Sequence, residues 1–224
     1  MRRILAGSIL SLFSALPLAA QFEGSVVMDM PGSAAGGQMT YYIKGSMLAA
    51  KFSMNGGGAV HEGRMIFDIP NHKMTVLVPM AMNGMKGMKM VMDTKDMGDS
   101  SASTTEAKAL GTSETIAGYK CDDIQVIDKG KPSSTICLTH DLGFFAYAAM
   151  GAMGRRAASP SWTRVIGNKP AFPLKVTDDK GKVVMIATSV QKGSVPDDAF
   201  SVPDGYMDAS GGMAGMMGGR GPQF

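Results

Sequence analysis

The chain has 224 residues, 45% of them hydrophobic, and its 22 Lys and Arg against 19 Asp and Glu give a formal charge of +3. That length suits a single domain with a substantial core, and a charge this small supplies no field to steer nucleic acid. No apolar run after the N-terminus reaches the roughly 18–20 residues that a membrane-spanning helix requires.

Residues 1–20 read as a secretory signal. Arg2 and Arg3 form a charged start, Ile4 to Leu16 is mostly apolar, and Pro17-Leu18-Ala19-Ala20 closes it with small side chains before Gln21. Its removal takes two arginines away and leaves 204 residues at +1, so part of the apparent basicity belongs to targeting. The expected location is periplasmic or secreted. With no Cys near the cleavage point, a lipoprotein anchor is not expected.

Period-two alternation, the mark of half-buried strands, then recurs along the chain. Phe22, Val26, Met28 and Met30 share one parity, followed by Met39, Tyr41 and Ile43, then Met65, Phe67 and Ile69, then Met74, Val76 and Val78. Further strands are expected at Ile124 to Ile127, Phe172 to Val176 and Lys182 to Gln191. Pro31-Gly32, Asn55 to Gly58, Pro70-Asn71 and Asp179 to Gly181 punctuate these runs as turns, so the pattern is antiparallel hairpins, about nine to eleven strands in all. One helix is expected over Phe144 to Met153, capped by Thr139 or Asp141 and ended by Gly154, and a second, weaker one over Thr104 to Leu110. Asp96 to Ser103 and the Gly/Met-rich Ala209 to Phe224 carry the composition of disordered chain. The expected organisation is a signal over 1–20, one β-rich domain over 21–208 and a tail over 209–224.

Cys121 and Cys137 flank the turn-like Lys129-Gly130-Lys131-Pro132-Ser133 almost symmetrically. They are expected to staple a hairpin, as suits an oxidising compartment, while two free buried thiols stand as the alternative. The spacing is not the Cys-x-x-Cys of a redox pair.

Methionine is the other unusual component. There are 22, six of them (Met80, Met82, Met85, Met88, Met90 and Met92) within thirteen residues, and Met213, Met216 and Met217 recur in the tail. Thioethers are soft ligands that select Cu(I), so Met88, Met90, Met92, Met213, Met216 and Met217 are candidate metal ligands. Yet Met88, Met90 and Met92 share one strand parity, as the core face of a strand does, and Met fills irregular apolar space. The core reading is preferred for 88–92 and an inert one for the tail. His61, His72 and His140 are widely separated, and His61-Glu62 lacks the second His of a zinc helix. His140 and Asp141 read as a polar pair at the start of the expected helix. Ser113, two residues after Gly111, lacks the second Gly that completes a nucleophile elbow, and Gly56-Gly57-Gly58 lacks the Lys-Ser/Thr of a phosphate loop. No catalytic constellation or cofactor is expected.

The residues Phe22-Glu23-Gly24, Tyr41 to Gly45, Ile116 to Cys121 and the closing Phe200 to Tyr206, in that order, resemble an exported bacterial family labelled domain of unknown function 4412. The chain departs from its pattern at Ile136-Cys137-Leu138, where that family often carries Trp. The resemblance implies an open β half-barrel of the lipoprotein-carrier type, a curved antiparallel sheet with one or two covering helices and an apolar concavity. The expectation is a non-enzymatic binding protein for a hydrophobic small molecule or an envelope protein partner; a methionine-rich copper or soft-metal protein is the alternative.

Overall fold

The structure, a computed structural model, describes residues 21–31, 37–56, 59–82, 84–94, 104–145, 160–166 and 170–210. The signal, the Asp96–Ser103 segment and the tail beyond 210 therefore lie outside the described residues, as does the expected helix from residue 146 onward. Phe144 and Phe145, at its start, are not helical.

Strands β1 (Glu23–Asp29), β2 (Gln38–Lys44), β3 (Met47–Gly56), β4 (Ala59–Asp68), β5 (Lys73–Met82) and β6 (Met85–Asp93) are followed by β7 (Thr105–Ile116), β8 (Tyr119–Asp128) and β9 (Lys131–Thr139). A short helix α1 (Trp162–Ile166) precedes β10 (Phe172–Asp178) and β11 (Val183–Lys192), and a 3-10 turn (Asp197–Phe200) precedes β12 (Tyr206–Asp208). All join one open twelve-stranded sheet in the order β12-β6-β5-β4-β3-β2-β1-β11-β10-β9-β8-β7. Every pairing is antiparallel except that of β12 with β6. The mainly β, open half-barrel expectation is the observed fold.

Alternation explains which face is buried. One row of neighbours runs Val190–Val26–Tyr41–Ala50–Met65–Val76–Met90 across the sheet. Of these, Val26, Tyr41, Ala50, Met65 and Val76 have no exposed surface. A sheet that buries one face this fully must curve around something. Leu142, Phe145, Trp162 and Ile166 fill its inside, all buried in the main core. Helix α1 forms despite three β-branched residues, Thr163, Val165 and Ile166, because Trp162 and Ile166 both reach that core, a case of packing overriding propensity.

Two hairpins turn through adjacent left-handed residues, Ala117-Gly118 (φ 50° and 86°) and Lys129-Gly130 (φ 52° and 74°), as a two-residue type I′ connection requires. The expected helix over Thr104–Leu110 is instead the first half of β7, with Thr105 opposite Asp128 and Ala109 opposite Ile124. A single short helix with no apolar stripe has little to hold it, whereas the ladder to β8 satisfies its backbone. As the sheet's last strand, β7 has one edge with no strand partner among the described residues. It carries Glu106, Lys108 and Glu114 and an irregularity between Ala109 and Ser113, devices that discourage strand addition.

After β11 the chain crosses the outer face as a strap. Val195 N donates to Glu23 Oε1 (3.0 Å), Lys44 Nζ meets Asp197 Oδ1 (2.8 Å) and Arg64 Nη1 donates to the Asp198 carbonyl (2.6 Å). Phe200 and Tyr206 pack on a second small core of Ala49, Ile66 and Leu77. The strap ends as β12, and Ala209 N donates to Lys89 O (2.8 Å) while Val91 N donates to Ser210 Oγ (2.9 Å). Ordered pairing thus runs two residues past the expected end of the domain at 208.

Gly87 is what lets the strap close. A Cβ there would lie 2.3 Å from the Val78 carbonyl oxygen and 2.8 Å from the Tyr206 ring. Gly87→Ala is expected to cost about 1–3 kcal/mol through overpacking and to speed amide exchange at Val91 and Ala209. Urea unfolding and hydrogen exchange check both; unchanged exchange at those amides would show that the strap tolerates the added carbon.

Candidate binding face

The sequence candidates Met88, Met90 and Met92 all lie on the inner face of β6. There they stand opposite Val78, Val76 and Met74 of β5. Met74 and Val76 are fully buried and Met90 is 8% exposed, whereas Val78, Met88 and Met92 are half-buried. Val78 and Met92 pack against the main core. The preferred core reading therefore fits Met90 best, while Met88 and Met92 line the margin of the concavity. Met207 of β12, which the sequence did not single out, is the register partner of Met88 and is 47% exposed. A pairing of only three residues, set so far along the chain, leaves no local periodicity to find it by.

The far half of the concavity is closed by aromatic contacts. Phe172 meets Tyr41 edge-on at 5.6 Å between centroids and Phe145 at 5.0 Å, and Phe145 lies 6.1 Å from Trp162. The inner face is thus packed shut at β2, β10 and α1 and lined by partly accessible thioethers at β6.

Cys121 and Cys137 form the expected disulfide, with Cα atoms 5.2 Å apart. The register sets Cys137 opposite Asp123, so the bond runs diagonally between β8 and β9. Glu114 stands opposite Cys121 on β7, and Lys175 stands opposite Cys137 on β10. The Lys175 ammonium donates to both Glu114 carboxylate oxygens, so this ion pair bridges the two strands that hold the sulfurs. Beside it Asp123 Oδ2 accepts from Thr112 (2.8 Å), while Asp123 Oδ1 is buried with no hydrogen-bond partner among the described residues, as is Ser134 Oγ on the opposite face of β9. His140 Nδ1 lies 2.8 Å from the Pro170 carbonyl, which can only accept, so Nδ1 carries the proton there. That bond ties the end of β9 to the start of β10. It replaces the expected pair with Asp141, whose own N–H donates to Thr139 Oγ1 (3.3 Å).

Among the described residues no three His, Cys, Asp or Glu side chains converge on a metal-sized site. Met213, Met216 and Met217 lie outside the described residues. Among the described residues the strongly shifted carboxyl belongs to the strap. Hydrogen bonds from Ser210, then Lys89 at 3.0 Å, hold Asp208 down at about 2 against an ordinary 3.8. A depressed carboxyl pKa stabilises the folded state above the unfolded value and loses that effect as pH falls through the folded one. The hold of Asp208 on β6 is therefore expected to be complete above about pH 4 and to weaken toward pH 2. Carboxyl NMR titration checks it, and a midpoint near 4 would contradict the observed bonding.

The model of a family described as a domain of unknown function (DUF4412) matches residues 22–206. No curated protein matches the chain. The family motifs read from the sequence fall at structural junctions. Phe22-Glu23-Gly24 opens β1 and Tyr41 to Gly45 closes β2. Ile116 to Cys121 holds the Ala117-Gly118 turn and the first cysteine, and Phe200 to Tyr206 is the outer strap.

Proposed function

The chain belongs to this family of unknown function, and from that premise we propose that it is an exported, non-enzymatic binding protein that holds an apolar small molecule against the inner face of β5 and β6. The observation that carries the reading is the half-buried pair Val78 and Met88, with half-buried Met92 beyond the buried Met90 on the same face. It continues the core face without being closed over by the residues that plug the other half. Flexible thioether side chains suit such a surface because they repack around irregular apolar shapes. The signal-like first twenty residues and the Cys121–Cys137 disulfide support export to an oxidising compartment.

The test is native purification followed by organic extraction and mass spectrometry, together with titration of an apolar fluorescent dye. A co-purifying apolar molecule or a saturable rise in fluorescence is expected. Met88→Glu should weaken dye binding by at least about tenfold, since it places a charge on the apolar face, with circular dichroism confirming that the variant is folded. An empty extract together with no gain in fluorescence would reject the small-molecule reading. Recovery of a stoichiometric envelope protein in its place would assign the face to a protein partner.

A further inference from the structure

We propose that the Cys121–Cys137 bond is a reversible redox switch, opened by a low-molecular-weight thiol while the sheet stays folded, and that the Asp123 carboxylate accepts the Cys137 S–H in the reduced state. The ladder brings these parts together. Residues directly opposite one another on antiparallel strands share a face, with Cβ atoms about 4.5–5.5 Å apart. Cys137 stands opposite Asp123 on β8 and opposite Lys175 on β10, and Cys121 stands opposite Glu114 on β7. Asp123 follows Cys121 by two residues on one strand, so both sulfurs, both carboxylates and the ammonium occupy one face. Both cysteines are 1% exposed and Asp123 is 8% exposed.

The unpaired oxygen sets the direction of the switch. Asp123 Oδ2 accepts from Thr112 Oγ1 at 2.8 Å, whereas Oδ1 is buried with no hydrogen-bond partner among the described residues. A buried acceptor without a donor is costly. A disulfide has no proton to offer, while each thiol has one. Reduction therefore supplies Oδ1 with the donor that the oxidised state lacks, and this difference favours the dithiol. In the step itself a reagent thiolate attacks one sulfur of the pair, which breaks the S–S bond and forms a mixed disulfide. A second reagent thiolate takes the first away as its own disulfide. Two reagent thiols thus lose two electrons and two protons, and the protons end on Cys121 and Cys137. The Glu114–Lys175 pair is the cover. The Lys175 ammonium donates to both Glu114 oxygens across the strands that hold the sulfurs, and these two side chains are 40% and 20% exposed. Opening the pair gives the thiol access. The reduced hairpin keeps its ladder from Asp122–Leu138 to Asp128–Lys131.

This inference does not rest on the apolar-ligand reading. The natively purified full chain would be equilibrated with mixtures of reduced and oxidised glutathione, quenched in acid, alkylated in denaturant and weighed. Circular dichroism should show a folded dithiol state. In wild-type protein carrying carbon-13 at its aspartate carboxyls, the Asp123 signal should move on reduction. Asp123→Leu and Asp123→Ala remove the acceptor, and each should shift the glutathione equilibrium toward the disulfide by at least about threefold. Any loss of stability common to both redox states cancels in that ratio. Exchange rates depend on access, so Glu114→Gln, which removes the charge holding Lys175, should speed reduction of the native bond at least about threefold. The carboxyl signal is read in the wild type, so it tests the proposal even where a variant fails to fold. A chain that unfolds on reduction, an Asp123 signal that does not respond, an equilibrium unchanged in both Asp123 variants, or an unchanged rate in Glu114→Gln would overturn the proposal.

Discussion

Replacing Phe172 with Ala is expected to lower stability by about 3–5 kcal/mol, the range for deleting a fully buried aromatic side chain. Phe172 has no exposed surface, and its ring packs edge-on against both Tyr41 on β2 and Phe145 of the plug, which also meet each other at 5.2 Å. Truncation leaves a cavity where the two halves of the curved sheet meet. The neighbours cannot all collapse into it, because Tyr41 is fixed by the ladders to β1 and β3. Urea unfolding should show the midpoint falling at an unchanged slope, which marks lost stability and not a changed extent of unfolding. Near-ultraviolet circular dichroism should weaken as Tyr41 and Trp162 lose their fixed surroundings. Phe172→Leu retains much of the volume and should cost less. A loss below about 1 kcal/mol for the alanine variant would be ordinary for any position and would mean that the aromatic group does not close the concavity.

Much of this architecture is written locally in the chain. The parity of Val26 and Met28, of Met39 and Tyr41, and of Met74 and Val76 is the buried parity in the structure, because one face of each strand must meet the core. The same argument placed Met88, Met90 and Met92 on one face. It could not say that Met90 would be covered and Met88 left at the margin, since exposure depends on which strand lies next to β6. That neighbour is β12, whose three residues have no periodicity of their own. β7 departs from the expected helix for a related reason. Both its faces are largely exposed, so Thr105 to Leu110 shows no alternation, and only the ladder to β8 makes it a strand. The outer core of Ala49, Ile66 and Leu77 sits on the parity that should be solvated, and it is buried because the strap lies over it. Helix α1 likewise depends on distant contacts. The family resemblance carried the open half-barrel shape, which strand counting alone does not supply.

Replacing Cys121 and Cys137 together with Ser is expected to cost about 2–4 kcal/mol. The bond spans a sequence separation of 16, and closing a loop of about that length is worth ~3 kcal/mol in the chain-entropy account. Both residues are only 1% exposed, so serine adds a second penalty by burying hydroxyls with no assured partner. The Cys121→Ala/Cys137→Ala pair avoids that penalty, and the difference between the two variants measures it. Either variant should still fold, because the rows from β11 through β1 to β6 bury their own core and the Glu114–Lys175 pair still links β7 to β10. The bond itself is checked on protein purified without reductant and unfolded in denaturant, where burial no longer shields a thiol. The intact chain should take up no alkylating reagent and should gain two hydrogens in mass on reduction. Alkylation at both cysteines before reduction would mean that the hairpin is held by its ladder and its Lys129-Gly130 turn alone.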